Sequence, residues 1–409
     1  MKVVAILLSI VLFFEAAYCF LVFSNIPTIK YWRDQYIATA LSTMTHQWLA
    51  EWFLPEYMVD DIRNKKAQAQ LMQLDDVSQR PVATKPAPTE EADPDSPTEE
   101  VIEATDPVET VPGEDPEQTA FYSLFWELNR STFESYIESH PEVLDNGWEN
   151  IYINEAGIND KGTSIYTTMG EQVLALDAKN KILLIRVQGT GYLGILAIGK
   201  DPAQIRCEAS SGIGSYGQDI GTICKNSGGI IGITGSGFVD PEGQGNGGLV
   251  AGHTMCEGKS YGTASPAYLS KRIELTVDNK FYIANSSTPV PDDVTDSVEF
   301  EPALVVDGNL VVDGYLNYNG INPRAAIGQS TRGEILMLVI EGRQIGRSIG
   351  TDVETCANIL MRHEAYTAMN LDGGTSAVMW YDGEYVTKCS NANIQCRSLP
   401  NAWVYGNYE

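Results

Sequence analysis

The sequence is poor in histidine, cysteine and basic residues. Its 409 residues include four histidines, seven cysteines, and 27 lysines and arginines against 54 aspartates and glutamates, which gives a formal net charge of −27. No HExxH or other paired-histidine spacing occurs, so a zinc site is not indicated. No CxxC pair occurs, which excludes a thioredoxin-type redox motif. The acidic balance argues against nucleic acid as a partner.

Residues 75–117 lack aromatic side chains altogether. This stretch contains eight prolines, fourteen acidic residues and only two basic residues, Arg80 and Lys85. Such a composition buries too little apolar surface to offset the entropy of ordering, so the sequence predicts a disordered, self-repelling linker that holds apart the segments on either side. The predicted organisation is therefore residues 1–74 as membrane anchor and juxtamembrane helix, 75–117 as linker, and 118–409 as one domain with a leading helix.

The N-terminus contains one long apolar run. Val3 to Phe23 is interrupted by a single charge, Glu15, and has about the length that a helix needs to cross a bilayer. We expect a single-pass signal-anchor in the cell membrane with the rest of the chain extracytoplasmic; a cleaved signal peptide also fits the position of the run. Tyr36 to Phe53 has the composition of an amphipathic helix at the membrane surface, or of the second arm of a helical hairpin.

Short β-type runs dominate the sequence from Ile182 onward. Asp307-Gly308 and Asp382-Gly383 stand between apolar runs, as hairpin turns require. Before these runs, Thr119 to His140 has helical spacing and predicts the leading helix. Thr351 and Glu354 form a capping box for a second helix. The fold class is α+β, with mixed, mainly antiparallel sheets, hairpins and a few packed helices behind a membrane anchor and disordered linker.

One strand end combines polar side chains with glycines. Asn370 and Asp372 are two residues apart, so both lie on one face of an apolar strand. Gly373 and Gly374 then let a ligand approach the backbone, and the next two residues add hydroxyl groups. The alternative is a plain β-turn in which Asp372 accepts backbone hydrogen bonds.

Four segments in order give the C-terminal part a family resemblance. Pro323–Gly328 resembles the PRTAIG box of the phosphodiester glycosidases, Ile335–Arg343 their strand ending in DGR, Asn370–Ser376 their NLDGGGS box, and Cys389–Arg397 their C-x6-C-R element. This family includes the lysosomal uncovering enzyme and bacterial exopolysaccharide-associated proteins. The resemblance covers about residues 150–408. The sequence departs from the family at Thr234 for Asn, Glu341 for Asp and Thr375 for Gly.

The resemblance implies a hydrolase that removes a sugar, expected to be α-linked N-acetylglucosamine, from a sugar-1-phosphodiester in surface polysaccharide or wall polymer. Such a reaction needs a carboxylate near an oxocarbenium-like centre and cations for the phosphate. The predicted catalytic residues are Asp372, Glu341 and Asn370. The predicted substrate-binding residues are Arg324, Arg343, Gly373, Gly374, Thr375, Ser376, Asp240, Asn246 and Arg397.

The resemblance leaves two other functions open: a non-catalytic glycan-binding or exopolysaccharide assembly protein, and a phosphodiesterase that cuts the P–O bond. No cofactor is expected; Ca²⁺ is the alternative, at the loop of Asp240 and Asn246, although the spacing does not fit an EF-hand. Cys389 and Cys396 bracket six residues and are predicted to form a disulfide outside the cytoplasm, with Cys207 and Cys224 as a second pair.

Overall fold

The chain combines antiparallel β-sheets with α-helices that pack on them. The computed structural model describes residues 2–43, 46–80, 115–262, 265, 270–312 and 320–408. Within these ranges the chain forms eight α-helices and nineteen strands in three sheets, and every strand pair is antiparallel. This confirms the predicted α+β class. Most of the predicted linker, residues 81–114, lies outside the described residues.

The largest sheet has nine strands. In spatial order they are β1 (Tyr152–Asn154), β2 (Gln172–Asp177), β3 (Ile182–Gly189), β4 (Tyr192–Gly199), β15 (Ile335–Ile340), β14 (Arg324–Ser330), β16 (Ala365–Asn370), β12 (Ala303–Val306) and β13 (Asn309–Leu310). β15 consists of six apolar residues that are all buried, as expected for a strand covered on both faces. Arg324 pairs with Ile340, and Ala326 with Asn370. The start of β14 therefore meets the ends of β15 and β16 at one edge.

Two five-stranded sheets complete the β structure. The first is β10 (Phe281–Asn285), β9 (Lys271–Thr276), β11 (Val294–Phe300), β7 (His253–Cys256) and β8 (Lys259–Gly262); the second is β18 (Glu384–Tyr385), β17 (Met379–Tyr381), β6 (Gly229–Thr234), β19 (Asn401–Gly406) and β5 (Ile205–Ala209). One apolar core joins all three sheets, with contributions from Leu184, Ile233, Ile273, Met337 and Trp403. Because the three sheets share this core, they hold the strand ends in a fixed arrangement.

Helices cover the other face of the large sheet. Phe121 of α5 (Pro116–Leu124), Phe133 of α6 (Arg130–Ser139) and Leu360 of α8 (Val353–Arg362) share a core with Leu338, whereas α7 (Ile220–Ser227) packs on β6 and β19.

Two helix predictions need correction. The single helix predicted over Thr119 to His140 is two helices, because Asn129 leaves the helix and caps α6 by accepting from the Thr132 N–H. The cap of α8 is Asp352, which accepts from the Thr355 N–H, and not Thr351.

Four helices precede the linker. They are α1 (Lys2–Phe23), α2 (Pro27–Leu41), α3 (Trp48–Glu51) and α4 (Glu56–Met72). Among the described residues α1 alone is long and apolar enough to span a membrane. The predicted helix from Tyr36 to Phe53 is divided between α2 and α3. α2 to α4 share a small core of their own that includes Ile37, Val59 and Ile62.

The segment that follows α4 is docked on the large domain. Gln73 donates to the carbonyl oxygens of Ala303 and Val311, at 3.1 and 3.0 Å. Ser78 and Ile283 exchange two hydrogen bonds of 2.8 Å. These contacts contradict the expectation that the linker holds the N-terminal helices away from the domain. The chain already lies on the domain's surface at Gln73 and Ser78, before residues 81–114.

Candidate active site

The residues predicted for catalysis and phosphate binding gather where three central strands of the nine-stranded sheet begin or end. We call this end of the three strands the edge. Arg324 begins β14, Glu341 follows β15, and Asn370 ends β16, two residues before Asp372. β14 is the common neighbour of β15 and β16, so antiparallel pairing brings one start and two ends together. The backbone thus unites the sequence boxes, although side-chain contacts divide them into two groups.

The loop after β16 needs its glycines. A Cβ atom at Gly373 would lie 2.7 Å from the Pro323 carbonyl oxygen, and Gly374 has a φ of 59° beside the Arg343 guanidinium. A larger side chain would push the loop off the sheet edge or strain its backbone. The loop keeps Asp372 and Thr375 partly exposed and buries Ser376. A ligand can therefore reach the Asp372 carboxyl group.

Two guanidinium groups flank Asp372. Arg343 is exposed and donates to the Asn322 side-chain oxygen at 3.1 Å, and its charge interacts with Asp372. Arg397 donates to Asp240 at 2.8 Å and to the Thr375 hydroxyl at 3.3 Å. Arg343 has a neutral partner while Arg397 is paired with a carboxylate. Of the two, Arg343 has the positive charge that is more available to an anionic substrate.

Burial raises the pKa of Asp372 to about 6, and the nearby Asp240 acts in the same direction. The Ser376 hydroxyl and the Arg397 guanidinium oppose that shift. A carboxyl group in this range can hold a proton in mildly acidic surroundings and is ionised at neutral pH. Asp372 is thus suited to acid–base or electrostatic work.

Arg324 lies deeper than the other two arginines. It is 8% exposed, and its Nε and Nη2 donate to the carbonyl oxygens of Thr351 and Gly320 at 3.1 and 2.8 Å. Burial, first of all, and the neighbouring Arg343 charge lower its pKa. These contacts suit an arginine that fixes the strand edge; its role as a phosphate ligand stays a prediction.

Asn370 has an unpartnered acceptor beside the loop. Its amide nitrogen donates to the Glu301 carbonyl oxygen at 2.7 Å, whereas its buried side-chain oxygen has no hydrogen-bond partner among the described residues. A buried acceptor without a partner is costly unless a ligand or water satisfies it. The predicted orienting role requires this oxygen to accept from a substrate hydroxyl or amide, and it stays a prediction.

Glu341 belongs to a separate cluster. It is 2% exposed, forms an ion pair with Arg347, and accepts from the Lys388 N–H at 2.8 Å. It lines a cavity of about 330 Å³ with Arg186 and Arg347. None of its hydrogen bonds within the described part of the chain reaches Asn370 or Asp372. We call Asp372 with Arg343 and Arg397 the Asp372 group. The side-chain hydrogen bonds of Glu341 in the described residues therefore do not join it to this group.

The glycine-rich loop at Asp240 borders the Asp372 group through Arg397, which donates to the Asp240 carboxylate and, at 3.5 Å, to the Gly245 carbonyl oxygen. Asp240 binds Arg397 and accepts from the Gly245 N–H at 2.6 Å, while Asn246 is exposed and donates to the Ser215 carbonyl oxygen. The described residues contain no group of three or more histidine, cysteine or acidic side chains that could hold a metal. Asp240 thus acts as the partner of an arginine at this edge.

All seven cysteines are free thiols in the structure. Cys389 contacts the Thr375 carbonyl oxygen and so lies beside the loop, whereas Cys396 contacts the carbonyl oxygen of the adjacent Arg397. The second pair predicted, Cys207 with Cys224, is wrong: the Cys207 sulfur lies 3.4 Å from the Cys256 sulfur, because β5 and β7 approach each other in the core.

Sequence reasoning missed two residues of the site. Asn322 joins Arg343 to the N-terminal helices, since its amide also donates to the Ser42 hydroxyl at 2.8 Å. Phe238 supports Arg397, whose guanidinium lies 4.4 Å from the ring centre. The Asn-Pro step at Asn322 is one local signal, and the resemblance of Gly232 to Phe238 to the family's glycine-phenylalanine turn is another; neither predicts the contact with an arginine.

Comparison with known proteins supports the motif assignment. Residues 227–405 match the family model of phosphodiester glycosidases, which confirms the resemblance. No curated protein matches the chain. Among solved structures, the catalytic domain of zebrafish N-acetylglucosamine-1-phosphodiester alpha-N-acetylglucosaminidase, described as auto-inhibited by its pro-peptide, is 14% identical with a TM-score of 0.45, over 66% of this chain and 94% of that one. A hypothetical protein from Synechocystis is 12% identical with a TM-score of 0.41, over 57% and 63%. Similarities at these TM-scores do not determine an activity.

Proposed function

We propose that this chain is a membrane-tethered, extracytoplasmic glycosidase that hydrolyses a sugar from a sugar-1-phosphodiester in surface polysaccharide or wall polymer. The observation that carries the proposal is the grouping of Asp372 with Arg343 and Arg397, from three segments that all lie within the region matched by the family model. An ionisable carboxyl group beside two guanidinium groups suits a substrate that joins an anomeric carbon to a phosphate.

The reaction divides between these groups. Water adds to the anomeric carbon as the bond from that carbon to the phosphate oxygen breaks, and the phosphate monoester leaves with the bonding electrons. The proton that the water loses passes to the released monoester or to solvent. Asp372 stabilises the positive charge that develops on the sugar ring, and Arg343 neutralises the leaving phosphate. N-Acetylglucosamine is the sugar that we propose, with the free oxygen of Asn370 accepting from its hydroxyl or acetamide N–H.

Isotope labelling tests the position of the cut. The full chain in detergent is incubated with a methyl diester of N-acetylglucosamine-1-phosphate in H₂¹⁸O, and the products are identified by mass spectrometry. A glycosidase places ¹⁸O in the released sugar. Label in the phosphate would indicate a phosphodiesterase, and binding without turnover would indicate a glycan-binding protein; either result would overturn the proposal.

A further inference from the structure

The helix α1 exposes its apolar side chains along its length. Leu12, Phe13 and Phe14 are 63%, 69% and 66% exposed, and Val22 is the one residue of this helix that is buried. A surface of this size and apolarity needs a bilayer or another apolar partner around it. With 22 residues, α1 has the length that a bilayer requires.

Two side-chain hydrogen bonds fix α1 to the helices that follow it. Arg33 donates to the Val22 carbonyl oxygen at 2.7 Å, and the Tyr18 hydroxyl donates to the Phe53 carbonyl oxygen at 2.5 Å. Phe53 therefore lies level with the last turns of α1. The same helical unit exposes aromatic side chains: Tyr31, Trp32, Tyr36, Trp48, Trp52, Phe53 and Tyr57.

Exposed tryptophan and tyrosine at the end of an apolar helix are typical of the membrane–water interface, where these rings lie at headgroup level. Trp52 is 78% exposed and precedes Phe53, whose carbonyl oxygen binds Tyr18 in the last turns of α1. We name the exposed rings of residues 31–57 the aromatic surface. Its continuity with α1 identifies a phospholipid bilayer as the occupant.

The same helices contact the edge of the candidate site. The Thr39 hydroxyl accepts from the Ile321 N–H at 2.9 Å, and the Ser42 hydroxyl accepts from Asn322, which in turn binds Arg343. From α4, Gln70 donates to the Glu301 carboxylate at 2.6 Å, beside the carbonyl group that Asn370 binds. The N-terminal helices are thus attached to both sides of the Asp372 group.

We propose that the aromatic surface lies in the bilayer interface and holds the site at the membrane surface, so that the substrate is a sugar-1-phosphodiester whose other ester group is a lipid. α2 spans 15 residues, about 22 Å at the rise of an α-helix, and this helix separates the end of α1 from Ser42, which contacts the border of the site. The exposed Arg343 then faces the depth at which lipid phosphates lie. The substrate class rests on the proposed function; the position at the bilayer does not.

Depth measurement tests the position of the aromatic surface. The full chain with Cys19→Ser is reconstituted in phosphatidylcholine–phosphatidylglycerol liposomes, with a spin label on Trp52→Cys or, as control, on the exposed Val277→Cys. We expect the label at 52 to be relaxed more by oxygen, which concentrates in the bilayer, than by a water-soluble nickel chelate, and the label at 277 to show the reverse. Equal exposure of both labels to the chelate would overturn the proposed position.

Paired substrates test the substrate class. The first is a sugar-1-phosphodiester with a long alkyl chain in liposomes, and the second is the corresponding methyl diester in solution. We expect the chain to prefer the lipid substrate, and Trp52→Ser with Phe53→Ser to lower that activity at least about threefold by weakening interfacial contact, with methyl diester hydrolysis unchanged. Val277→Ser is the matched control.

The outcomes separate the two proposals. Equal rates on both substrates, a preference for a soluble phosphodiester polymer, or no effect of the double variant would overturn the lipid assignment while leaving the glycosidase intact. If neither the methyl diester nor the lipid substrate is hydrolysed, the proposed function is overturned. The spin-label result would still decide the position at the bilayer.

Discussion

The regions around Asp372 and Glu341 both bring a carboxyl group close to arginine, but they differ in burial and in hydrogen bonding. Each carboxyl group follows a strand that borders β14, and each has arginine nearby. Asp372 is partly exposed between two guanidinium groups, whereas Glu341 is buried and bound to Arg347 and to a backbone N–H. A carboxylate whose oxygens already accept their hydrogen bonds from the protein stabilises its own surroundings. A carboxylate that can still accept hydrogen bonds can act on a ligand. We therefore expect the chemistry at Asp372 and a structural role for Glu341.

Asp372→Asn should have the largest effect on turnover. The change keeps the shape and removes the charge, so we expect kcat to fall at least about a hundredfold, the usual cost of a lost acid–base or electrostatic group. Substrate binding should change little, because the flanking arginines remain. Kinetics with circular dichroism as a folding control decide the matter. A folded variant that keeps more than about a tenth of wild-type turnover would move the catalytic role to Glu341 or Asp240.

The pKa of about 6 at Asp372 predicts the pH dependence of both activity and stability. If the ionised form acts, kcat should fall about tenfold per pH unit below about pH 6. The raised pKa means that the folded state binds a proton more tightly than the unfolded state does. Asp372 therefore contributes stability at low pH that is lost as the pH rises from about 4 to about 6.

Asp372→Asn avoids that loss. At pH 7 the variant should be more stable than wild type by at most about 3 kcal/mol, the free energy that corresponds to two pKa units. Denaturant unfolding of both proteins at pH 4 and pH 7 measures the difference. Equal stabilities at both values would show that the folded state does not raise the pKa of this carboxyl group.

Two arginine-to-lysine variants separate phosphate binding from support of the strand edge. Arg343→Lys keeps the charge and loses the fork, so we expect KM to rise about tenfold, the value of one hydrogen bond to a charged group. Arg324→Lys loses donors to two carbonyl groups; it should weaken phosphate binding and slow cleavage while also lowering the melting temperature. Steady-state kinetics and thermal unfolding of both variants give the two readouts. A larger rise in KM for Arg324→Lys, with no change in melting temperature, would reverse the two roles.

Glu341→Gln should affect stability more than turnover. Removing one partner of a buried ion pair costs about 3–5 kcal/mol, and because Arg347 is 26% exposed we expect about 1–3 kcal/mol here. kcat should remain within about threefold of wild type, since lost acid–base groups cost about a hundredfold or more. Chemical denaturation and kinetics on the same preparation test both statements. A hundredfold loss of kcat in a stable variant would make Glu341 catalytic after all.

The sequence could predict the site loop, because the polar residues and glycines of Asn370 to Ser376 stand next to one another. It could also predict α8, because the helical spacing after Asp352 is local. It could not predict which arginine meets which carboxylate. Arg347 lies only six residues from Glu341, yet a hairpin turns it back onto that side chain, and Ser42 meets Asn322 across 280 residues. Tertiary packing decides such pairs, and no spacing rule expresses it. The break between α5 and α6 was missed for a different reason: the Asn129 cap was read as part of a continuous helix.

Oxidation of the cysteines should change turnover least, because the Cys389 and Cys396 thiols contact backbone carbonyl oxygens and not the Asp372 carboxyl group. In an oxidising compartment we expect a Cys389–Cys396 disulfide and a Cys207–Cys256 disulfide, the latter from the 3.4 Å approach of two buried sulfur atoms. Loop-closure entropy gives about 2 kcal/mol for the first bond and about 4 kcal/mol for the second, whose loop is longer. Burial raises the pKa of Cys207, so its bond should form during folding, before the core excludes oxidants.

Peptide mapping of secreted material without reduction, beside Cys207→Ser and Cys389→Ser variants, identifies each pair. Four alkylatable thiols at these positions would show that the chain folds with its cysteines reduced.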